Sequence, residues 1–378
     1  MKLYYVTNAR MPTEKAHGIQ TAKMCEAFIE EGVDVTLLAP CRKRSSKDVQ
    51  GFYQLRVHVP IIFLPTIDWY TLGVVGYRIS SYLFALSTVL FLLYKKCTGE
   101  EFIIYTIDLD DFSSSLLPLV GKKLYTEMHM GKEASFSQRF LFKYLSGVIP
   151  INSHIKKELQ QRFPESMAWY VVEPNAVDAQ QFFSCEKDVA RKRLNIGNEE
   201  HIALYAGRFF EWKGLETLYE AASLLPEVAW YLVGGTAEEF IAVTGLTPLP
   251  PNMIFKGSQP HQDMPYWIAA ADALIVLGTG RDTQSYQYTS PMKLFEYLLS
   301  KRPIIASKTP ALQDIVSEAE VHFYKPDDAI SLAASVSQAL SIAGAPLIER
   351  AYSKGLHYSW KRRAGAILRA ITASCATF

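Results

Sequence analysis

The sequence of 378 residues contains no Cys-x-x-Cys pair, and its five cysteines (Cys25, Cys41, Cys97, Cys185 and Cys375) are scattered. That pattern excludes a disulfide framework and a zinc knuckle, and it points to a reducing, cytoplasmic setting. Neither sign of charge dominates. Lys+Arg number 39 and Asp+Glu 38, which disfavours duplex nucleic acid as the main partner. Continuous apolar runs are short. The longest, Tyr82–Tyr94, is followed by Lys95 and Lys96 and preceded by Arg78, Ser80 and Ser81. It falls below the roughly 18 to 20 residues of a spanning helix, so the expected form is a buried helix. The opening MKLYYVTNAR is too short an apolar stretch for a signal peptide. No G-x-G-x-x-G follows the first apolar run, which argues against a dinucleotide oxidoreductase.

What is present is a recurring alternation. Nearly half of the residues are apolar (49%), enough for more than one substantial core, and the length suits two domains. Short apolar runs predict strands at 2–7, 33–39, 102–107, 122–127, 147–151 and 168–172. Helical stretches fall at 19–31, 135–145 and 153–162, and Pro12 and Gly18 lie in the loop after the first strand. After the break at Glu173-Pro174-Asn175 the pattern restarts. Strands are predicted at 202–205, 228–233, 253–256, 273–277, 303–306 and 321–323. Helices fit 215–225, 264–271, 292–300 and 329–340. Strand–helix alternation predicts parallel, doubly wound sheets, whose ligands sit beyond the carboxyl ends of the strands.

Two constellations carry chemistry. In Ala206-Gly207-Arg208 through Lys213-Gly214, a strand-end glycine allows close backbone approach, Arg208 can fork onto phosphate oxygens, and Lys213 adds a compact cation. Ser290-Pro291-Met292-Lys293 opens a helix with unpaired amides, with Ser290 the expected N-cap and Glu296 one turn in, where it could accept from a ribose diol. Together they suit a nucleoside diphosphate. Asp108-Leu109-Asp110-Asp111 could hold a cation, but an N-cap cluster opening a helix over 112–120 accounts for it better, so no metal is expected. Arg42, Lys43, Arg44 and Lys47 form a basic loop that would favour anionic lipid.

GRFFEWKG resembles the G-R-x(4)-K-G element of the retaining glycosyltransferases of GT-B fold grouped as family 4. SPMKLFEYLLSKRPIIAS is similar to the second half of that family's Glu-x(7)-Glu region, VVEPNAVDAQQF to its interdomain element, and YSW at 358–360 to the triplet before its last helix. The Gly18 loop and Thr126-Glu-Met-His129 resemble first-domain elements. The resemblance implies two Rossmann-like domains facing a cleft: 1–172 with a returning helix at 355–378 for the acceptor, and 173–354 for the donor. It implies retaining, metal-independent sugar transfer from a UDP- or GDP-linked donor, with no cofactor, to a saccharide or other acceptor hydroxyl; the basic loop and Tyr82–Tyr94 add the expectation of a lipid-linked acceptor and peripheral contact with the membrane's inner face. Arg208 and Lys213 would hold the diphosphate, and Glu296 the ribose. The Met292 and Lys293 amides would touch phosphate or sugar, and Gly207, Gly257 and Ser258 would lie by the nucleotide. Gly18 would let a first-domain loop approach the donor, and His129, more than His17 or His261, would lie near sugar and acceptor. The sequence departs from the pattern at Tyr288, where the family has its first Glu, and at Pro291 and Ala176, where it has glycines. A sugar-nucleotide epimerase and a non-catalytic sugar-nucleotide-binding protein are the competing readings.

Overall fold

The computed structural model describes residues 1–43, 45–46, 48–121, 123–182, 185–197, 201–341 and 345–375. The chain divides into two compact units, Met1–Pro174 with Trp360–Phe378, and Asn175–Ser359.

The first unit holds a seven-stranded parallel sheet. Its strands are β1 (Lys2–Val6), β2 (Asp34–Pro40), β3 (Ile61–Leu64), β4 (Phe102–Ile107), β5 (Leu124–Met128), β6 (Gly147–Pro150) and β7 (Trp169–Tyr170), in the order 3-2-1-4-5-6-7. The helices between them are α1 (Ala16–Glu30), α2 (Val49–Tyr53), α3 (Gly73–Cys97), α4 (Phe136–Tyr144) and α5 (Ser153–Arg162). Side chains of successive strand residues point to opposite faces, yet Leu3 through Val6 and Ile103 through Ile107 are all buried. Both faces of the sheet are therefore covered, as parallel sheets require.

The second unit repeats the plan with six parallel strands in the order 3-2-1-4-5-6 of its own count. They are β8 (Ile202–Ala206), β9 (Ala229–Val233), β10 (Met253–Phe255), β11 (Ala273–Val276), β12 (Ile304–Ser307) and β13 (His322–Tyr324). Its helices are α6 (Lys187–Leu194), α7 (Leu215–Leu224), α8 (Ala237–Thr244), α9 (Met264–Ala270), α10 (Met292–Leu298), α11 (Pro310–Gln313), α12 (Ala329–Ser341) and α13 (Ala345–Gly355). Two apolar cores sandwich this sheet. Ile202, Leu204 and Ala206 enter one, Ala203 and Tyr205 the other.

The last helix, α14 (Trp360–Cys375), belongs to the first unit and packs on α1. It starts at Trp360 rather than 355, because 345–355 is a separate helix of the second unit. Within the second unit the two chain crossings run side by side, the Val177 amide donating to the Tyr358 carbonyl at 2.8 Å. The interdomain and YSW elements are therefore neighbours in space.

Two expectations about elements need correction. The helix containing Tyr82–Tyr94 runs for 25 residues, long and apolar enough to cross a membrane, and only 39% of its most apolar window is buried. Ser80 and Ser81 do not break it, because the Ser80 hydroxyl donates to the Gly76 carbonyl one turn back and Ser81 accepts from Asn8. The stretch after Asp111 is a series of turns with a short 3₁₀ segment at Leu117–Leu119, not a helix over 112–120.

Candidate functional site

In each sheet the strand order reverses once, beside the first strand of the unit, and such a point leaves an opening at the carboxyl ends of the strands. In the second unit it lies between β8 and β11, and Gly207-Arg208 leave β8 there. Gly207 has a φ of +142°. A Cβ at this position would lie 2.7 Å from Lys293 Nζ and 3.7 Å from Lys213 Nζ, so two ammonium groups converge on this backbone. Gly234, with φ +124°, follows β9, and a Cβ there would lie 2.7 Å from the Gly207 carbonyl carbon. The Gly207 amide donates to the Val233 carbonyl at 2.7 Å, and the Gly234 amide to Gly257 at 2.8 Å. Gly207, Gly234 and Gly257 thus step across the ends of β8, β9 and β10, with exposed Ser258 following.

The cations come from two segments. A 3₁₀ turn at Glu211–Lys213 and the left-handed Gly214 (φ +72°) fold Lys213 back, so that its ammonium donates to the Arg208 carbonyl at 2.9 Å. The Phe210 ring centre is 5.8 Å from the Arg208 guanidinium carbon and 4.9 Å from Lys213 Nζ. Burial, and next the positive charge of Arg208, lower the Lys213 ammonium to about 8. Lys293 Nζ sits 3.9 Å from the centre of the Tyr205 ring. Burial and the neighbouring Lys213 push Lys293 well below the usual lysine value, against the opposing pull of Glu296. From the sequence, Lys293 is expected to act only through its backbone amide. The available signal was its spacing of three from Glu296, which places both on one side of a helix.

α10 is held against β8 by the buried Tyr297, whose hydroxyl accepts from the Ala206 amide at 3.1 Å. Met292 and Lys293 supply first-turn amides, which a helix leaves without internal partners. Ser290 does not cap this helix. Pro291 occupies the N-cap without a side-chain bond, and the Ser290 hydroxyl accepts from the Asn175 amide at 3.2 Å. The Asn175 side-chain amide in turn donates to the Ser290 carbonyl at 2.6 Å, so Ser290 joins the start of the unit to α10. Glu296 lies 3.7 Å from His261 Nε2, and Gln181 contacts the other ring nitrogen at 2.9 Å. Tyr288 closes a π-helical turn at Gln284–Tyr288.

In the first unit, His129 follows β5 and its Nε2 lies 2.8 Å from Glu127 Oε1. Gln20 Nε2 stands 3.1 Å from His129 Nε2 and also donates to Glu127. The buried Glu127 accepts from Tyr105 at 2.9 Å and from both terminal nitrogens of Arg363 of α14, at 3.0 and 2.7 Å. Burial alone would raise the Glu127 carboxyl. Arg363 and His129 outweigh it and hold the group at about 2. Arg363 also donates to the Pro174 carbonyl at 2.8 Å. No local pattern announces Arg363, because its partner lies 236 residues away in sequence.

Gly18 is not in a loop. It occupies the first turn of α1, and a Cβ there would run into Thr13 and the Tyr53 hydroxyl. Its small size admits the protein's own side chains rather than a ligand. His17 is lowered to about 4 by burial and then by nearby positive charge, including Lys15 and His129. Asp108 and Asp111 both pair with Lys132, at 2.5 and 2.7 Å, and Asp110 accepts from the Phe112 and Ser113 amides at 2.7 and 2.6 Å. Among the described residues no group of three or more His, Cys, Asp or Glu side chains is arranged to hold a metal. Arg42 is not a solvated charge, because it stacks 3.2 Å from the Tyr70 ring centre and donates to Asn8. Arg44 and Lys47 lie outside the described residues.

Comparison with solved structures supports the fold. The chain is similar to a sucrose-phosphate synthase from Thermosynechococcus elongatus, with TM-score 0.77, 19% identity and 99% of each chain covered. It is also similar to HepE from Anabaena in complex with UDP-glucose, with TM-score 0.69, 15% identity, and 99% of this chain and 100% of that one covered. A glycosyltransferase from Rickettsia africae gives TM-score 0.73 at 16% identity over 99% of this chain and 98% of that one. No curated protein sequence matches. The architecture is that of the GT-B glycosyltransferases, two doubly wound α/β units with the last helix returned to the first. Within the second unit, residues 186–354, which contain Arg208, Lys213, Lys293 and Glu296, match the model of the family described as glycosyl transferases group 1.

Proposed function

We propose that the protein is a glycosyltransferase that moves a sugar from a nucleoside-diphosphate donor to an acceptor hydroxyl. One observation carries this reading: Lys213 and Lys293 converge on Gly207 beside Arg208, and burial, with Arg208 acting on Lys213 and Lys213 on Lys293, destabilises the charged lysines. A diphosphate would relieve that repulsion. When the bond to the sugar breaks, negative charge grows on the distal phosphate, and preorganised cations act most strongly where charge develops. Glu296 would accept from the ribose hydroxyls, and the base would lie by Gly257 and Ser258. In the first unit His129, oriented by Glu127, would serve the acceptor side.

Transfer proceeds with retention and without a metal or cofactor, in the cytoplasm, to a saccharide or lipid-linked acceptor. HepE was solved with UDP-glucose, which makes UDP-sugars the first donors to test. Release of UDP or GDP in a panel of nucleotide sugars with sugar acceptors tests the proposal, and turnover is expected to persist in EDTA. A requirement for manganese or magnesium would contradict the metal-free part.

The depressed Lys213 gives a pH signature. The ammonium is charged below its value of about 8 and neutral above it, so affinity for a nucleoside diphosphate should fall as pH rises. Calorimetry between about pH 7 and about pH 9.5 should show this loss, and Lys213→Arg, charged throughout that range, should make it shallower, leaving the share that belongs to the depressed Lys293. An identical slope in wild type and Lys213→Arg would remove Lys213 from the site.

A further inference from the structure

The donor site leaves α3 unexplained. Its exposed side carries Val75, Ile79, Tyr82, Leu86, Leu90 and Tyr94, at steps of three or four that keep them on one stripe. Leu86 is 47% exposed, Leu90 59% and Tyr94 65%. Isolated exposed apolar side chains are ordinary on a soluble protein, whereas a continuous stripe over five turns marks a contact surface. The 25 residues of the helix include no Asp or Glu. Their charges are Arg78, exposed near one end, and Lys95 and Lys96 in the last turn. Lys95 pairs with Glu100 at 3.2 Å. Exposed Lys43 adds a cation near the other end, because its amide donates to Asp68, in the segment leading into α3, at 2.7 Å.

We propose that this face docks the first unit onto an anionic bilayer, with α3 lying in the interfacial plane. An apolar stripe on a helix that carries three basic residues and no carboxylate of its own fits the acyl boundary under an anionic headgroup layer, with Arg78 and Lys43 as exposed cations, while Glu100 is paired with Lys95 and Asp68 accepts from the Lys43 amide. Tyr82 and Tyr94 suit the headgroup level, where aromatic side chains with a polar tip concentrate. Spanning is opposed by the other side of the same helix. Phe84, Ala85 and Leu92 are in the core, Ser81 accepts from Asn8 at 2.9 Å, and Ser80 accepts from the Trp69 amide at 3.1 Å. Removing α3 into lipid would strip those partners from the first unit. Self-pairing is opposed by charge. Two copies aligned in either direction bring Arg78, Lys95 and Lys96 together with no carboxylate on either helix, and the nearby Glu100 and Asp68 are already engaged by Lys95 and the Lys43 amide.

The test uses the full chain and no nucleotide, so its outcome is separate from that of the sugar-transfer reading. Co-sedimentation with phosphatidylglycerol-containing vesicles is expected at low salt, with little binding to pure phosphatidylcholine and clear weakening near 0.5 M salt, where the screening length drops to about 4 Å. Leu86→Glu with Leu90→Glu should lower partitioning by about tenfold or more, because it places charge on the side that would enter the acyl boundary. Its melting temperature should stay unchanged, since both side chains are exposed. Arg78→Glu should weaken binding several-fold. The proposal is overturned by no binding to anionic vesicles, or by binding that the leucine variant leaves intact. A dimer in light scattering that the same variant dissolves, without vesicle binding, would assign the face to a second copy. Resistance of membrane-bound protein to alkaline carbonate would assign it to a spanning helix.

Discussion

Arg208→Ala and Lys213→Ala are each expected to lower turnover of the nucleotide-sugar donor by about a hundredfold or more. The size follows from where these groups act. A cation that binds the ground-state diphosphate and the departing one equally would change only KM, whereas these cations face charge that grows as the glycosidic bond opens. The loss should therefore appear in kcat as well as in KM. Lys213 also ties the loop together through the Arg208 carbonyl, so its removal loosens Arg208 and the two losses should not add fully. Lys213→Arg should retain more activity than Lys213→Ala, though not all of it, because the longer, planar guanidinium places its donors differently from the compact ammonium. Melting curves of the variants serve as the control. Arg208 is exposed and Lys213 half-buried, so little change in melting temperature is expected for either variant. Unchanged kinetics in both alanine variants would remove these residues from the reaction.

The second large effect concerns stability. Arg363→Ala should destabilise the first unit by about 3 to 5 kcal/mol, because it leaves the buried Glu127 carboxylate without its main counter-charge. The ion pair itself need not stabilise strongly against apolar replacements. Its desolvation cost rivals its Coulombic gain, so Arg363→Met combined with Glu127→Gln should recover much of the loss. Urea unfolding of the single and double variants measures both quantities. The pH dependence has a definite sign. The folded carboxyl lies at about 2, below the unfolded value of about 4.3. Its contribution is therefore complete at neutral pH and is lost as the pH falls from about 4.3 toward 2, with no change expected on the alkaline side. Equal stability of wild type and Arg363→Ala would mean that Glu127 is not held as a buried ion.

Much of this architecture was legible because parallel strands covered on both faces are short, nearly continuous apolar runs. Phe102–Ile107 and Ser153–Arg162 fall where the pattern puts them. β3 escaped because it is four residues long between Pro60 and Pro65 at the sheet's edge, where prolines tolerated at edges mask a strand. In the sequence Arg78, Ser80 and Ser81 look like interruptions and hide the first part of α3. Its true extent depends on Asn8 and on the helix's own carbonyls, which satisfy those hydroxyls. The Gly207–Lys213 loop could be recognised because its cations lie close together in sequence. Arg363 could not, because the side chain that anchors Glu127 arrives from the far end of the chain. Ser290 failed as a cap for a related reason: a serine before a helix has the right chemistry, but Asn175 engages it first.

The central claim is that three cations around Gly207 form a diphosphate site, and calorimetry tests it most directly. UDP, GDP and ADP would be titrated into the wild-type chain and into Arg208→Ala and Lys213→Ala. At least one nucleotide is expected to bind the wild type, with affinity falling by about tenfold or more in each variant, as expected for losing one charged hydrogen bond to phosphate. Binding of equal strength in all three proteins, or of no nucleotide to any of them, would contradict the account.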